Sequence, residues 1–301
     1  MIQVPKDVTD YIRKHFAKCN RNVSYDLSIH PAIHEESLDM NLIGYWSKNQ
    51  APVKLSSNWT VRVDAHFIGG GRHFGTWEVA DIGLMIIFRN KGKVIRSKMA
   101  FIQSKKLYAN SLKLSRDNPH IRRFGLGRLI VSEEEHSQII QERLLHYTEA
   151  SKYQAFSKDD DQQSAMGSFQ DLYGMKMYYL LYNPFKIPHQ IKMPLSEHPK
   201  MGRNSVGCRV IPKDDLDSAL KTFEKQHHPS YGEIKYMLEG DFSKKKHSAG
   251  WRLEYFIADL MLQCKEGIID DSPNFETMLN FMNQKRRPMS SALSITFDIN
   301  D

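Results

Sequence analysis

The feature that most constrains this chain is a run of three strand-like segments between residues 58 and 105. Asn58 to Ile68 alternates, with Trp59, Val61, Val63, Ala65 and Phe67 on one face, and ends at Gly69-Gly70-Gly71. Trp77 to Phe88 is more continuously apolar and therefore reads as a more deeply buried strand. Asn90-Lys91-Gly92 supplies turn chemistry, and Val94 to Lys105 returns as a third strand. A chain with such a hairpin near its centre must build a sheet and cover it with apolar-faced elements from elsewhere.

The flanks supply those elements. Asp7 to Lys18 carries Val8, Tyr11, Ile12 and Phe16 at helical spacing, and Tyr25 to Ile29 reads as a short strand. Residues 32–47 form a second helix, with Glu35 and Glu36 in its early turns and Leu38, Leu42, Ile43 and Trp46 on its apolar side. Glu133 to Phe156 reads as a helix with an acidic start, and Ser157 to Ser164 as a polar loop. Residues 165–176 read as a helix, and Met177 to Tyr182 as a buried strand. Gly207 to Ile211 reads as another strand. Helices are expected at about 214–226, 231–240, 249–265 and 273–284, with a closing strand from Ser294 to Ile299. Asn183 to Pro199, with four prolines, is the best candidate boundary. The expected organisation is an α/β core over residues 1–187 and a mainly helical C-terminal region over 188–301, packed on that core.

Composition narrows the function classes. Of 301 residues 41% are hydrophobic and 11% aromatic, which excludes disorder as the main state. The longest apolar runs, Leu84 to Phe88 and Tyr178 to Tyr182, are far short of the ~20 residues of a membrane helix. The opening residues carry acids and no apolar core of a signal peptide. Cys19, Cys208 and Cys264 are too scattered for a disulfide framework or a paired-cysteine metal site. The expectation is a soluble protein of a reducing cytoplasm, with no membrane partner.

The charge is uneven. Residues 1–150 hold 22 Lys/Arg against 15 Asp/Glu, which is the whole excess of +7, because residues 151–301 balance at 20 each. Arg89 to Arg128 holds 12 basic residues and one acid, Asp117. Such a stretch attracts polyanions by counterion release. Lys98, Lys106, Lys113, Arg116, Arg122 and Arg123 are the candidate phosphate contacts.

Opposed residues of an antiparallel hairpin keep a constant index sum, here 183–184, which places Asp81 opposite Ile102 or Gln103. Gln103 and Lys105 are two apart and share a face. One register therefore gathers Asp81, Gln103 and Lys105 at one edge of a small sheet. Polar groups held at the margin of an apolar core need partners, such as a metal or an anion. Asp81 and the Gln103 carbonyl are hard oxygen ligands suited to Mg2+ (or Mn2+). Lys105 suits the attacking water or the charge on a five-coordinate phosphorus. Glu35, Glu36 or Glu78 is the candidate further acid.

This pattern, Asp81, a hairpin, then Gln103-Ser104-Lys105, with Glu35-Glu36 on a preceding helix, resembles the PD-(D/E)xK nuclease superfamily. It is most similar to the Mrr-like branch, in which Gln stands at the second acidic position. Ala80 stands where the proline would be, and the Asp81-to-Gln103 spacing is long. The resemblance covers roughly residues 30–185. It implies a restriction-endonuclease-like core, a central mixed sheet flanked by helices. It also implies Mg2+-dependent endonuclease cleavage of double-stranded DNA in restriction or anti-phage defence. A regulatory ATPase or helicase subunit and a homodimer are compatible with it. The site it implies is Asp81, Gln103 and Glu36 or Glu35 around the metal, with Lys105 catalytic. The rival expectations are a catalytically inactive nucleic-acid-binding module and a protein-interaction scaffold.

Other motifs carry less. Gly69-Gly70-Gly71-Arg72 lacks the phosphate-loop lysine. His30 and His34 flank Pro31 at a helix start, Asp159-Asp160-Asp161 lacks the remaining ligands of a calcium loop, and Cys208 reads as a buried structural thiol.

Overall fold

A computed structural model of the chain describes residues 2–48, 51–67, 79–110, 143–156, 161–193, 195, 197–224, 227–242, 250–270 and 289–299. The expected helix at 273–284, Glu78, Lys113, Arg116, Arg122 and Arg123 lie outside the described residues.

The hairpin organises everything else. Its arms are β3 (Ala80–Asn90) and β4 (Lys93–Lys106), and β2 (Trp59–Phe67) precedes them. Lys91 and Gly92 both have positive φ, 49° and 78°, the conformation a two-residue hairpin turn of matching twist requires. Ile82 pairs with Ile102 and Phe88 with Arg96, a constant sum of 184 that falls to 183 at Arg89 and Val94 across a bulge. Both values are those the turn position implies.

One nine-stranded mixed sheet results. Its order is β1 (Val53–Lys54), β2, β11 (Met289–Ile299), β3, β4, β6 (Met177–Tyr182), β8 (Arg209–Pro212) and β9 (Trp251–Arg252). β10 (Ile268–Asp270) joins the early part of β4. A two-stranded sheet pairs β5 (Arg143–Tyr147) with β7 (His189–Met193).

Helices cover both faces. α1 (Lys6–Ile29) packs on α2 (Glu35–Ser47), which lies against β2, β3 and β4. On the other face α3 (Asp161–Tyr173) meets β4 where the Phe169 and Phe101 rings stand 5.2 Å apart. α4 (Lys213–Leu220) follows β8, and Gln163 of α3 donates to Asp217 at 2.5 Å. α5 (Tyr231–Phe242) packs beside α4. One aromatic cluster of the core joins Trp59, Phe88 and Phe297, with ring centroids 5.4 to 6.2 Å apart. Aromatic pairs of this kind contribute about 0.5–1.5 kcal/mol each beyond their area.

Four expectations change. First, α1 does not stop at Lys18, and Tyr25 to Ile29 is helix rather than strand. Its buried stripe of Val8, Ile12, Phe16, Cys19, Val23 and Leu27 is accompanied by buried Asn20, Ser24 and Ser28, which break the apolar pattern. These polar groups are satisfied: Asn20 donates to Glu254 at 2.7 Å and Ser28 to the Ser24 carbonyl at 2.7 Å.

Second, within the expected helix 133–156, residues 143–147 are strand β5. Leu144 is exposed and Tyr147 buried, an alternation that a run of five residues leaves open to either reading. Third, the 249–265 segment is β9, one turn of α-helix (α6, Leu253–Tyr255) and a π-helical stretch Phe256–Met261.

Fourth, residues 188–301 are not mainly helical where described, since they supply β7 to β11. The sheet therefore runs through both sides of residue 187. The expected closing strand is longer and central. β11 is antiparallel to β2 and parallel to β3. A Cβ at Gly83 of β3 would collide with the Met289 sulfur, so the glycine leaves the space that this flexible side chain fills.

Candidate functional site

The site forms at the end of the sheet where β3 begins and β4 ends. Continuing the ladder from Ile82 and Ile102 sets Asp81 across from Gln103. The side chains meet there. The Gln103 amide Nε2 donates to Asp81 Oδ2. The same oxygen accepts from the Ser104 backbone N–H at 2.7 Å and the Ser104 hydroxyl at 2.8 Å. Asp81 thus reaches both faces of β4, because Gln103 and Ser104 alternate across it.

Gln103 is buried, and its Oε1 has no hydrogen-bond partner among the described residues. Burying an amide oxygen without a partner costs about 1–3 kcal/mol. A buried, unpaired amide oxygen on the side chain that holds a carboxylate is a hard donor that turning the amide over brings to that carboxylate. The amide is two-ended: its NH2 now faces Asp81, and a shared cation requires the oxygen to do so.

Lys105 donates to Gln162 Oε1 of α3 at 2.5 Å. Its positive charge opposes the upward pull of burial on both Asp81 and Glu35, which places it electrostatically with both acids. Glu35 Oε1 accepts the Lys106 backbone N–H at 2.7 Å. Burial pushes the Glu35 carboxyl above its ordinary range, Lys105 opposes this, and Asp81 adds to it. Glu36 is exposed, and of the two candidates Glu35, bonded to Lys106, is the acid seen at this site.

The sequence reading missed Asp39. It is four residues after Glu35, hence on the same helix face, and that spacing was the available signal. Asp39 Oδ2 also lies 2.8 Å from the Ser104 hydroxyl, whose single proton serves either this acid or Asp81, and Oδ1 accepts the Tyr182 hydroxyl at 2.6 Å. Burial raises its carboxyl well above the usual range, and Asp81 and Glu35 add to the effect. Asp81 is itself raised by burial, against its Ser104 hydrogen bonds. Three carboxyl groups crowded in this way resist ionising together.

Among the described residues no group of three or more His, Cys, Asp and Glu side chains is arranged to hold a metal ion. The hard oxygen donors suited in kind are Asp81, Glu35 and, with its amide turned over, Gln103. Mg2+ commonly takes one or two protein carboxylates and keeps water and substrate phosphate for its other positions, so this small set is adequate in kind.

Two expected phosphate contacts are overturned. Lys98 is only 1% exposed; its ammonium donates to the Met261 and Glu266 carbonyls at 2.8 and 2.5 Å. Burial lowers its pKa to about 8. Lys106 is also buried. It donates to the Pro31 and Ile33 carbonyls at 3.2 and 2.5 Å and lies 4.2 Å over the Tyr108 ring. Both lysines tie strand β4 to neighbouring segments. The expected structural role of Cys208 agrees with its burial, which pushes its thiol up to about 12. All three cysteines are free. No helix among the described residues is long and apolar enough to cross a membrane.

Comparisons of the chain with protein-family models, curated proteins and solved structures find no match.

Proposed function

We propose that the chain is a Mg2+-dependent endonuclease that hydrolyses DNA phosphodiester bonds on a restriction-endonuclease-like core. The observation that carries this is the Gln103 side chain, whose amide holds Asp81 while its oxygen is buried and unpaired, two residues before Lys105. A divalent cation bound there would polarise a phosphoryl oxygen and lower the pKa of a bound water. Asp81, Glu35 and the Gln103 oxygen are the residues to hold it. Lys105, positioned by Gln162, orients the attacking water or offsets charge on the five-coordinate phosphorus. The bond from water oxygen to phosphorus forms as the bond to the leaving sugar oxygen breaks. The water proton passes to solvent, and the leaving oxygen takes one up. Ser104, shared by Asp81 and Asp39, fixes the spacing of the two acids. Restriction or phage defence alongside an ATPase or helicase subunit is the setting that goes with this reading.

Incubation of supercoiled plasmid with Mg2+, Mn2+ or EDTA tests it. Nicking that requires the metal and disappears in Lys105→Met and Asp81→Asn supports the proposal. Highly purified protein that binds plasmid but never cuts it supports an inactive binding module instead.

A further inference from the structure

Beyond the end of β6 lies a cleft of about 740 Å3, and none of its lining residues is acidic. Lys186, Lys200 and Arg203 stand around it, all exposed. Among the described residues no carboxylate pairs with any of the three. Three cations gathered at one cleft without a counter-charge repel one another and favour an anion between them.

The cleft is built rather than incidental. Both walls are fastened to α1. On one side the Ser28 hydroxyl accepts the Phe185 N–H at 3.1 Å, and the His189 ring meets the Ser28 carbonyl at 3.2 Å. On the other, Tyr25 donates to the Pro199 carbonyl at 2.8 Å and Arg21 to the Met201 carbonyl at 3.1 Å. Gly202 closes on the buried Phe185 ring, which a Cβ there would approach to 3.0 Å. The ring is therefore covered and unavailable for base stacking, and the charged groups of the lining are the three cations.

Its position relates it to the candidate site. Tyr182, whose hydroxyl holds Asp39, pairs with Lys106, and Phe185 follows three residues later. Three residues of chain span at most about 11 Å. The Phe185 wall of the cleft is thus within a few nucleotide steps of Tyr182, at the ~3.4 Å rise of one DNA strand.

We infer that this cleft binds a backbone phosphodiester of a nucleic acid, flanking the bond presented at Asp81. The inference rests on the nuclease reading for its geometry, and its test does not depend on cleavage. Binding of a fluorescent DNA duplex of about 20 base pairs is measured in EDTA across a salt series. The proteins are the wild type, the triple variant Lys186→Glu/Lys200→Glu/Arg203→Glu, and a control triple Lys54→Glu/Lys91→Glu/Lys93→Glu.

The cleft variant is expected to bind at least about tenfold more weakly and to lose up to about 2–3 from the log–log salt slope, at roughly 0.9 per phosphate contact. The control is expected to do neither. The milder Lys186→Gln/Lys200→Gln/Arg203→Gln protein, with an unchanged circular dichroism melt, guards against misfolding. Equal losses in both triples, or none in either, overturn the inference. So does stabilisation by inorganic phosphate that vanishes in the cleft variant while duplex binding is unchanged, because the cleft then takes a small free anion. Absence of metal-dependent cutting with the binding result intact overturns only the nuclease reading.

Discussion

Gln103 donates its side-chain amide to Asp81, and its own oxygen is left buried without a partner. If that oxygen is a cation ligand, Gln103→Glu adds charge to the donor set and should lower the Mg2+ concentration needed for half-maximal nicking. Gln103→Ala removes the ligand and should raise that concentration by about tenfold or more, the scale of one lost interaction of ~1.4 kcal/mol. A Mg2+ titration of plasmid nicking reads both. Identical titrations for all three proteins would remove Gln103 from the site.

The helix acids separate cleanly. Glu35 accepts the Lys106 amide beside the site, whereas Glu36 is exposed. Glu35→Gln should slow cleavage by about a hundredfold if it withdraws a metal ligand. Glu36→Gln should leave the rate within about twofold, as expected for an exposed surface change. Single-turnover cleavage rates distinguish them, and the reverse order would place the other face of α2 at the substrate.

Lys98 should matter for the fold and not for nucleic acid. Its ammonium satisfies two carbonyls inside the protein. Lys98→Met leaves both without this donor, at a cost of about 1–3 kcal/mol. Against this, the neutral side chain escapes the burial that lowers the lysine pKa to about 8. A lower Tm with an unchanged DNA Kd is the expected pair of results. A weakened Kd at unchanged Tm would return Lys98 to the binding surface.

Acid should weaken the protein through His189. Burial depresses its pKa below the ordinary 6.5, Lys186 adds to this, and the bond to Ser28 opposes it. Below about pH 6.5 the unfolded chain takes up a proton that the folded chain refuses. The stability is therefore full above that pH and falls as pH drops from it towards the lower folded-state value. His189→Phe, which keeps a ring against Tyr147 and Phe185, should flatten the dependence of Tm on pH between about 5 and 7. A slope as steep as in the wild type would assign the effect to other groups, His15 first, since burial lowers its pKa too.

What could be read from the chain was local. The hairpin register follows from Lys91 and Gly92, because a tight turn fixes every pair along two adjoining arms. Asp39 was legible from its spacing to Glu35 and was overlooked. The basic stretch misled, because a charge count does not say which face a residue takes: Lys98 sits opposite Ile86, inside the sheet. The exposed cations of the cleft come instead from in and just beyond the proline-rich segment Asn183 to Pro199, which the charge count does not single out. The place of β11 was illegible for a different reason. Leu293 lies between Ala65 and Leu84, partners more than 200 residues earlier, and no local pattern encodes such a choice.

That choice has a consequence for synthesis. While the ribosome is still making the chain, β2 and β3 have emerged, but the strand that separates them has not. Until residues 289–299 are released, each presents an unpaired edge, and β3 lacks the Ser291 hydroxyl that binds the Asp81 carbonyl at 2.9 Å. A nascent chain therefore cannot complete the surroundings of Asp81 before residues 289–299 arrive. A chain stopped before residue 289 would keep both edges open, ready to pair with other chains, with the surroundings of Asp81 unfinished.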